Sequence, residues 1–215
     1  MFDLDPATII SRVLTLVIAF TVHEFSHAFV ATAYGDNTAR SQGRLTLNPL
    51  SHLDFFGSVL LITLGFGWAK PVPINPDVLQ KKSRYATMWV SVAGPLSNFL
   101  MAVIAAIPLR YGFVQNLPSS RYFPSVYSFL IDFLFINLLL MVFNLIPLAP
   151  LDGEKVLEAF VPSVLRNMFA KLRPYGSFIL LALIFGLPRL GIDVFDMFLY
   201  PIVSSVFQIL LGVSI

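Results

Sequence analysis

Apolar residues come in long blocks along this chain, at about 8–33, 86–110, 126–148, 175–189 and 195–213. A helix rising 1.5 Å per residue needs about 20 such residues to cross a hydrocarbon core roughly 30 Å thick, so the blocks predict membrane-spanning helices. The fourth is short for a full crossing. A further block, GSVLLITLGFGW at 57–68, is too short to span and carries three glycines. It predicts a re-entrant or short β-like element within the stretch near 40–68. The expected fold is therefore an all-α polytopic membrane protein of about five transmembrane helices around that element. No internal repeat, low-complexity tract or long polar linker interrupts it, so 1–215 reads as a single domain, with a core about 8–160 and C-terminal helices about 161–215. The first block is longer than a signal-peptide core and reads as a retained span.

Composition agrees with the pattern. The 215 residues are 57% hydrophobic and 12% charged, and the mean hydropathy is +0.80, outside the usual mix of a soluble domain. The net charge of +2 fits the setting of orientation in a bilayer better than nucleic-acid binding, for which no motif is present. If 57–68 does not cross, one side of the membrane receives Arg40, Arg44, Lys70, Lys81, Lys82, Arg84, Lys155, Arg166, Lys171 and Arg173, ten of the fourteen basic residues. Only Arg12, Arg110, Arg121 and Arg189 fall on the other. Cytoplasmic loops carry the Lys and Arg excess, so five spans place the N-terminus outside and the C-terminus in the cytoplasm.

The first block contains HEFSH, with His23 and His27 at i and i+4 and Glu24 beside them. At 100° per residue two such imidazoles share a helix face one turn apart and can reach one ion. Glu24 is placed to deprotonate a metal-activated water, the arrangement of zinc metalloproteases. Ionisable groups within a span cost about 2.5–3.5 kcal/mol each on insertion scales, so three together call for a compensating metal. With no cysteine in the chain, a third ligand must be His or a carboxylate, and the candidates are His52, Asp36, Asp54, Asp152, Glu154 and Glu158. Asp152 follows the cytoplasmic end of the third span and matches the depth of His27. It could equally cap a helix beginning near Gly153.

Three segments in this order, HEFSH, AGPLSN at 93–98 and NLIPLAPLDG at 144–153, resemble the site-2 protease family of intramembrane zinc metalloproteases. The resemblance covers about 15–160. GRLTLNPLSHLDFFGS and GFGWAKPVPIN resemble the compact prokaryotic branch, although Phe55 stands where that branch commonly has proline. It implies one Zn²⁺ per chain held by His23, His27 and Asp152, with Glu24 as catalytic base. It also implies transmembrane proteins or peptides as substrates, the lipid bilayer as surroundings and the prokaryotic cytoplasmic membrane as location. The chain has no room for the peptide-binding or nucleotide-binding modules of other branches.

Other polar residues are weighed beside these. Asn98, inside the second span, can hold a substrate backbone or an oxyanion, or bind helix to helix. Asn144, before the proline-broken segment, offers the same choice. His52 can assist a transition state, line an access route or be a solvated loop residue. Because a helix occupies its own carbonyls, a transmembrane substrate must unwind before attack, and 57–68 could pair with it as an added strand. No serine or aspartate intramembrane-protease motif is present. The rival readings are a membrane metal transporter, which need not set a non-ligating carboxylate beside two histidines, and an inactive relative that binds membrane proteins without cutting them.

Overall fold

Asp5 opens the first helix: its carboxylate accepts from the Thr8 N–H at 3.0 Å, and Pro6 follows at the first helical position, where its missing N–H costs nothing. From there α1 runs through Pro6–Ala33. In the computed structural model, which describes residues 5–57 and 67–213, it is followed by a one-turn helix α2 (Thr38–Ser41), α3 (Pro76–Lys82, capped by Asn75) and α4 (Ala86–Arg110). Then come α5 (Val126–Asn144, capped by Ser125), α6 (Asp152–Glu158), a kinked helical run α7 (Ser163–Leu190) and α8 (Tyr200–Leu211).

Helices α1, α4 and α5 form the body, and α8 completes it. Ala102, Ala105 and Ala106 of α4, Leu134 and Leu138 of α5 and Val203 of α8 make one buried cluster. A second joins Ala31 of α1, Leu79 of α3, and Ala86 and Val90 of α4. Small residues recur at these contacts because lipid offers helices no hydrophobic drive to associate, leaving close packing and hydrogen bonds to hold them.

Among the described residues, four helices are long and apolar enough to cross a membrane: α1, α4, α5 and α7. The fifth span expected at 195–213 is not among them, because its helical run, Asp196–Leu211, falls short of a full crossing. Asp5 and Pro6 line a cavity with Asn116, Arg121 and Asp132, at the end where α4 finishes and α5 begins. At that same end, Arg110 donates to the Ile209 and Leu210 carbonyls at 3.1 and 3.2 Å. The start of α1 and the end of α8 thus lie at the same end of the helix bundle.

The expected re-entrant or β-like element at 57–68 lies almost wholly outside the described residues. Around it, one antiparallel bridge pairs Leu53 with Ala69, and no sheet forms among the described residues. Beyond that bridge the chain at 69–75 forms no helix, Pro71 and Pro73 favour an extended backbone there, and the Val72 N–H reaches Glu24 of α1.

Candidate metal centre

The buried positions of α1 include Ser11, Thr15, Ala19, His23 and His27, one face of the helix at spacings of four. His23 and His27 are six and eight per cent exposed, and each ring is fixed at the nitrogen remote from its neighbour. His27 Nδ1 donates to the Val90 carbonyl of α4 at 2.6 Å. His23 Nδ1 donates to Asn98 Oδ1 at 2.6 Å, and Asn98 Nδ2 donates to Asn137 Oδ1 at 2.9 Å. Asn137 Nδ2 in turn donates to the Phe133 carbonyl at 2.8 Å. Both imidazoles therefore keep an Nε2 lone pair free, the tautomer a metal requires, and the hydrogen-bonded partners fix ring orientation.

Those two lone pairs converge. The Nε2 atoms are 3.0 Å apart, and Asp152 Oδ2 is 3.2 Å from each. Zinc bonds of 2.0–2.1 Å at tetrahedral angles put ligand atoms about 3.3 Å apart, so the triangle is close to one face of a zinc tetrahedron. His23, His27 and Asp152 are also the one group of potential ligands found with the right spacing among the described residues. The donor set, two neutral imidazoles and one carboxylate, fits a zinc site that keeps a position open.

Local sequence explains how Asp152 arrives. Pro147 and Pro150 stop α5 from continuing, and Leu151, not Asp152, is the N-cap of α6. Asp152 is the first helical residue, so its carboxylate turns to the histidines instead of capping. Gly153 is required beside it, since a Cβ there would lie 2.2 Å from the Leu145 carbonyl oxygen.

The other third-ligand candidates are engaged elsewhere. Asp36 accepts from Thr38 and Asn75, and Asp54 from the Gly57 N–H. Glu154 and Glu158 both bind Arg173. His52 is fully buried, donating through Nε2 to the Thr46 carbonyl at 2.8 Å, and is not part of the cavity beside the metal ligands. Asn98 is likewise fully buried and spends both ends of its amide on His23 and Asn137. Asn144 lines the cavity, with its Nδ2 returned to the Leu140 carbonyl at 3.0 Å.

That cavity, of about 500 Å³, is walled mainly by apolar residues including Phe20, Trp68, Val72, Phe143 and Leu180. His23, Glu24, His27 and Asp152 all open onto it. Glu24 is eight per cent exposed, stays out of the ligand triangle, and accepts from the Val72 N–H at 3.0 Å. Two contributors escape a reading of the sequence. Asn137 is one, detectable as a polar residue inside an apolar block. Gly94 is the other: a Cβ there would lie 2.5 Å from both Nε2 atoms.

Comparison with known proteins accords with this geometry. The profile of Peptidase family M50 matches residues 11–123 and 112–187. A Bacillus subtilis protein named as a zinc metalloprotease, YwhC, is 43% identical over 80% of this chain and 78% of its own length. A Mycolicibacterium smegmatis protein named as the zinc metalloprotease Rip2 is 32% identical over 78% of this chain and 64% of its own. A zinc metalloprotease of Methanocaldococcus jannaschii is 24% identical over 83% of this chain and 43% of its own. No solved structure is significantly similar. With the profile spanning most of the sequence and a relative this close over four-fifths of it, the chain belongs to Peptidase family M50, the site-2 protease family of membrane zinc metalloproteases.

Proposed function

We propose that this protein is an intramembrane endopeptidase that cuts peptide bonds in or near the transmembrane segments of other membrane proteins. The observation that carries the reading is the joint placement of His23, His27 and Asp152 at ligand spacing with a non-ligating Glu24 on one cavity. In this reading one Zn²⁺ is held by the three side chains and, when bound, supplies the Lewis acidity that lowers the pKa of a water and polarises a peptide carbonyl. Glu24 takes the proton of the attacking water and returns it to the leaving amine nitrogen. Asn98 and Asn137 keep His23 in its ligating tautomer, and the Val90 carbonyl does so for His27.

Depth and access follow from the helix. His27 lies six residues before the end of α1, about 9 Å along its axis, and Glu24 is nearly one turn deeper. The basic residues of 70–84 favour the cytoplasm for that end, which puts the start of α1 and the end of α8 outside. Water then reaches Glu24 from the cytoplasmic side, past Trp68 and Lys155 at the cavity wall. A substrate helix has to unwind there to present a carbonyl, and the apolar walls suit an unwound apolar segment.

The test is metal analysis together with cleavage of a single-span substrate in proteoliposomes. Glu24→Gln is expected to keep zinc and lose cleavage, and Asp152→Ala to lose zinc. Cleavage by Glu24→Gln would remove Glu24 as the base, and full zinc content in Asp152→Ala would move the third ligand elsewhere.

A further inference from the structure

Glu24 is held by a backbone amide that does not belong to its own helix, and the chain carrying that amide is fastened at both ends. Val72 sits in the run Lys70-Pro71-Val72-Pro73-Ile74. Neither proline has an N–H, so the Val72 amide is the only main-chain donor between Lys70 and Ile74, and it points at Glu24 Oε2. Upstream, the Lys70 N–H donates to the His52 carbonyl at 2.7 Å, and the Lys70 carbonyl accepts from Arg44 Nη2. Downstream, the Asn75 N–H donates to Asp36 Oδ2 at 2.6 Å. Arg44 is only six per cent exposed, and its Nε has no partner among the described residues. A guanidinium buried this deeply is costly unless its N–H groups find acceptors, and the Lys70 carbonyl is one of them.

We propose that Arg44 is a positioning residue for the general base: by holding the Lys70 carbonyl it keeps 69–75 taut, so that the Val72 N–H fixes Glu24 over the cavity. The inference rests on Glu24 being the base. The extended segment acts as a strap, with Arg44 and Asp36 as its two anchors and Val72 as its contact. An unanchored strap lets the carboxylate take other rotamers, which slows proton transfer without changing how substrate binds. Removing a residue of such a supporting shell costs roughly 10- to 100-fold in comparable sites.

The experiment compares wild type, Arg44→Met, Arg44→Lys and a chain with the α-hydroxy analogue of valine at position 72, which exchanges the amide for an ester and deletes only the N–H. Cleavage of the single-span substrate and zinc content are measured for each. The ester and Arg44→Met are each expected to lower kcat about tenfold, with KM and zinc content unchanged, and the two together to be no worse than either alone. Arg44→Lys, which keeps a donor, should recover most of the loss. In metal-free, ¹⁵N-valine-labelled protein, Arg44→Met should shift the Val72 amide proton in the same direction as Glu24→Ala. Wild-type kcat in the ester, multiplying defects, a loss confined to KM or zinc, or an unmoved Val72 resonance would each overturn the proposal. Wild-type and Glu24→Gln controls separate the two readings. Failure of wild type to cleave overturns both, whereas normal controls with an inert ester overturn only the strap.

Discussion

Helices α4 and α7 are both long and apolar enough to cross a membrane, yet 44% of the most apolar window of α4 is buried against 11% of that of α7. Most buried positions of α4 are small or polar, among them Ala86, Ser91, Gly94, Asn98, Ala102 and Ala105. The outer face of α7 carries Phe178 and Phe185, both exposed to the surroundings. In a bilayer large apolar side chains need no protein neighbour, while a buried imidazole or amide does. The helix with the small and polar buried face is therefore the one that positions the chemistry. Helix α7 meets the metal half at few points, with Gly176 against the Ala149 carbonyl, Arg173 on Glu154 and Glu158, and Ser177, Leu180 and Leu181 at the cavity.

The sharpest way to break that contrast is to add one methyl group to a glycine in each helix. In α4, the Cβ of Gly94→Ala would fall 2.5 Å from both ligand nitrogens. Zinc content should collapse and cleavage should drop by about 100-fold or more, since displaced ligands cannot keep a 2.0–2.1 Å metal geometry. In α7, the Cβ of Gly186→Ala would meet nothing nearer than the Ala182 Cβ at 3.9 Å, and both measurements should stay at wild-type values. A tolerated Gly94→Ala would mean that the histidines have room the geometry denies them.

One step outward from the metal, Asn98→Leu keeps the volume of the side chain but leaves His23 Nδ1 without its acceptor. Zinc affinity should fall roughly 10- to 100-fold, measured by competition with a chelator. Asn137→Leu removes only the group that orients Asn98 and should cost less. Equal losses at the two positions would make the column a cooperative unit instead of a graded one.

Legibility in the sequence follows the same division. HEFSH is readable because two histidines and a glutamate are too costly inside an apolar block without a metal to bind, and their spacing alone puts both rings on one face. Asp152 is readable through depth and resemblance, not through spacing, because the Pro-broken turn that delivers it has no periodicity to analyse. Asn98 stands out as polar within a span, but its direction does not. Only the register of α4 against α1 aims it at His23 and not at a substrate. His52 is hidden for a similar reason, since nothing local distinguishes a loop histidine in solvent from one sealed against the Thr46 carbonyl. Hydropathy alone does not fix the number of crossings, since among the described residues four helices have the length and composition of a span. The two C-terminal blocks are apolar enough to read as separate spans, and the Arg110 contact brings the end of α8 to the end of α4.

Outside the membrane helices, Asp36 offers a test of moderate size. Its carboxylate accepts three hydrogen bonds, from Thr38 N–H at 3.0 Å, Thr38 Oγ1 at 2.6 Å and Asn75 N–H at 2.6 Å. Burial opposes ionisation, but these donors outweigh it and lower its pKa below the ordinary value. A lowered folded pKa adds stability above the unfolded value of about 3.9, and that stability is lost as pH falls through the folded value. Asp36→Asn should therefore cost about 1–2 kcal/mol at neutral pH, and the gap from wild type should narrow below about pH 4. Unfolding monitored across pH in one fixed detergent measures both, and a gap independent of pH would exclude the charge as its source.

The smallest effect belongs to the outer face of α7. Phe178 is 72% exposed, so in the bilayer it contacts lipid, and Phe178→Leu exchanges one apolar group for another in the same solvent. The change in unfolding free energy should stay within about 0.5 kcal/mol. Leu138→Ala, in the cluster shared by α4, α5 and α8, should cost about 1–2 kcal/mol, less than in a water-soluble core, because lipid is as apolar as the site it leaves and only packing is lost. Thermal unfolding of both variants in lipid nanodiscs gives the comparison directly. If Phe178→Leu cost as much as Leu138→Ala, the outer face of α7 would be packed against protein, and the low burial of that helix would describe an interface instead of a lipid boundary.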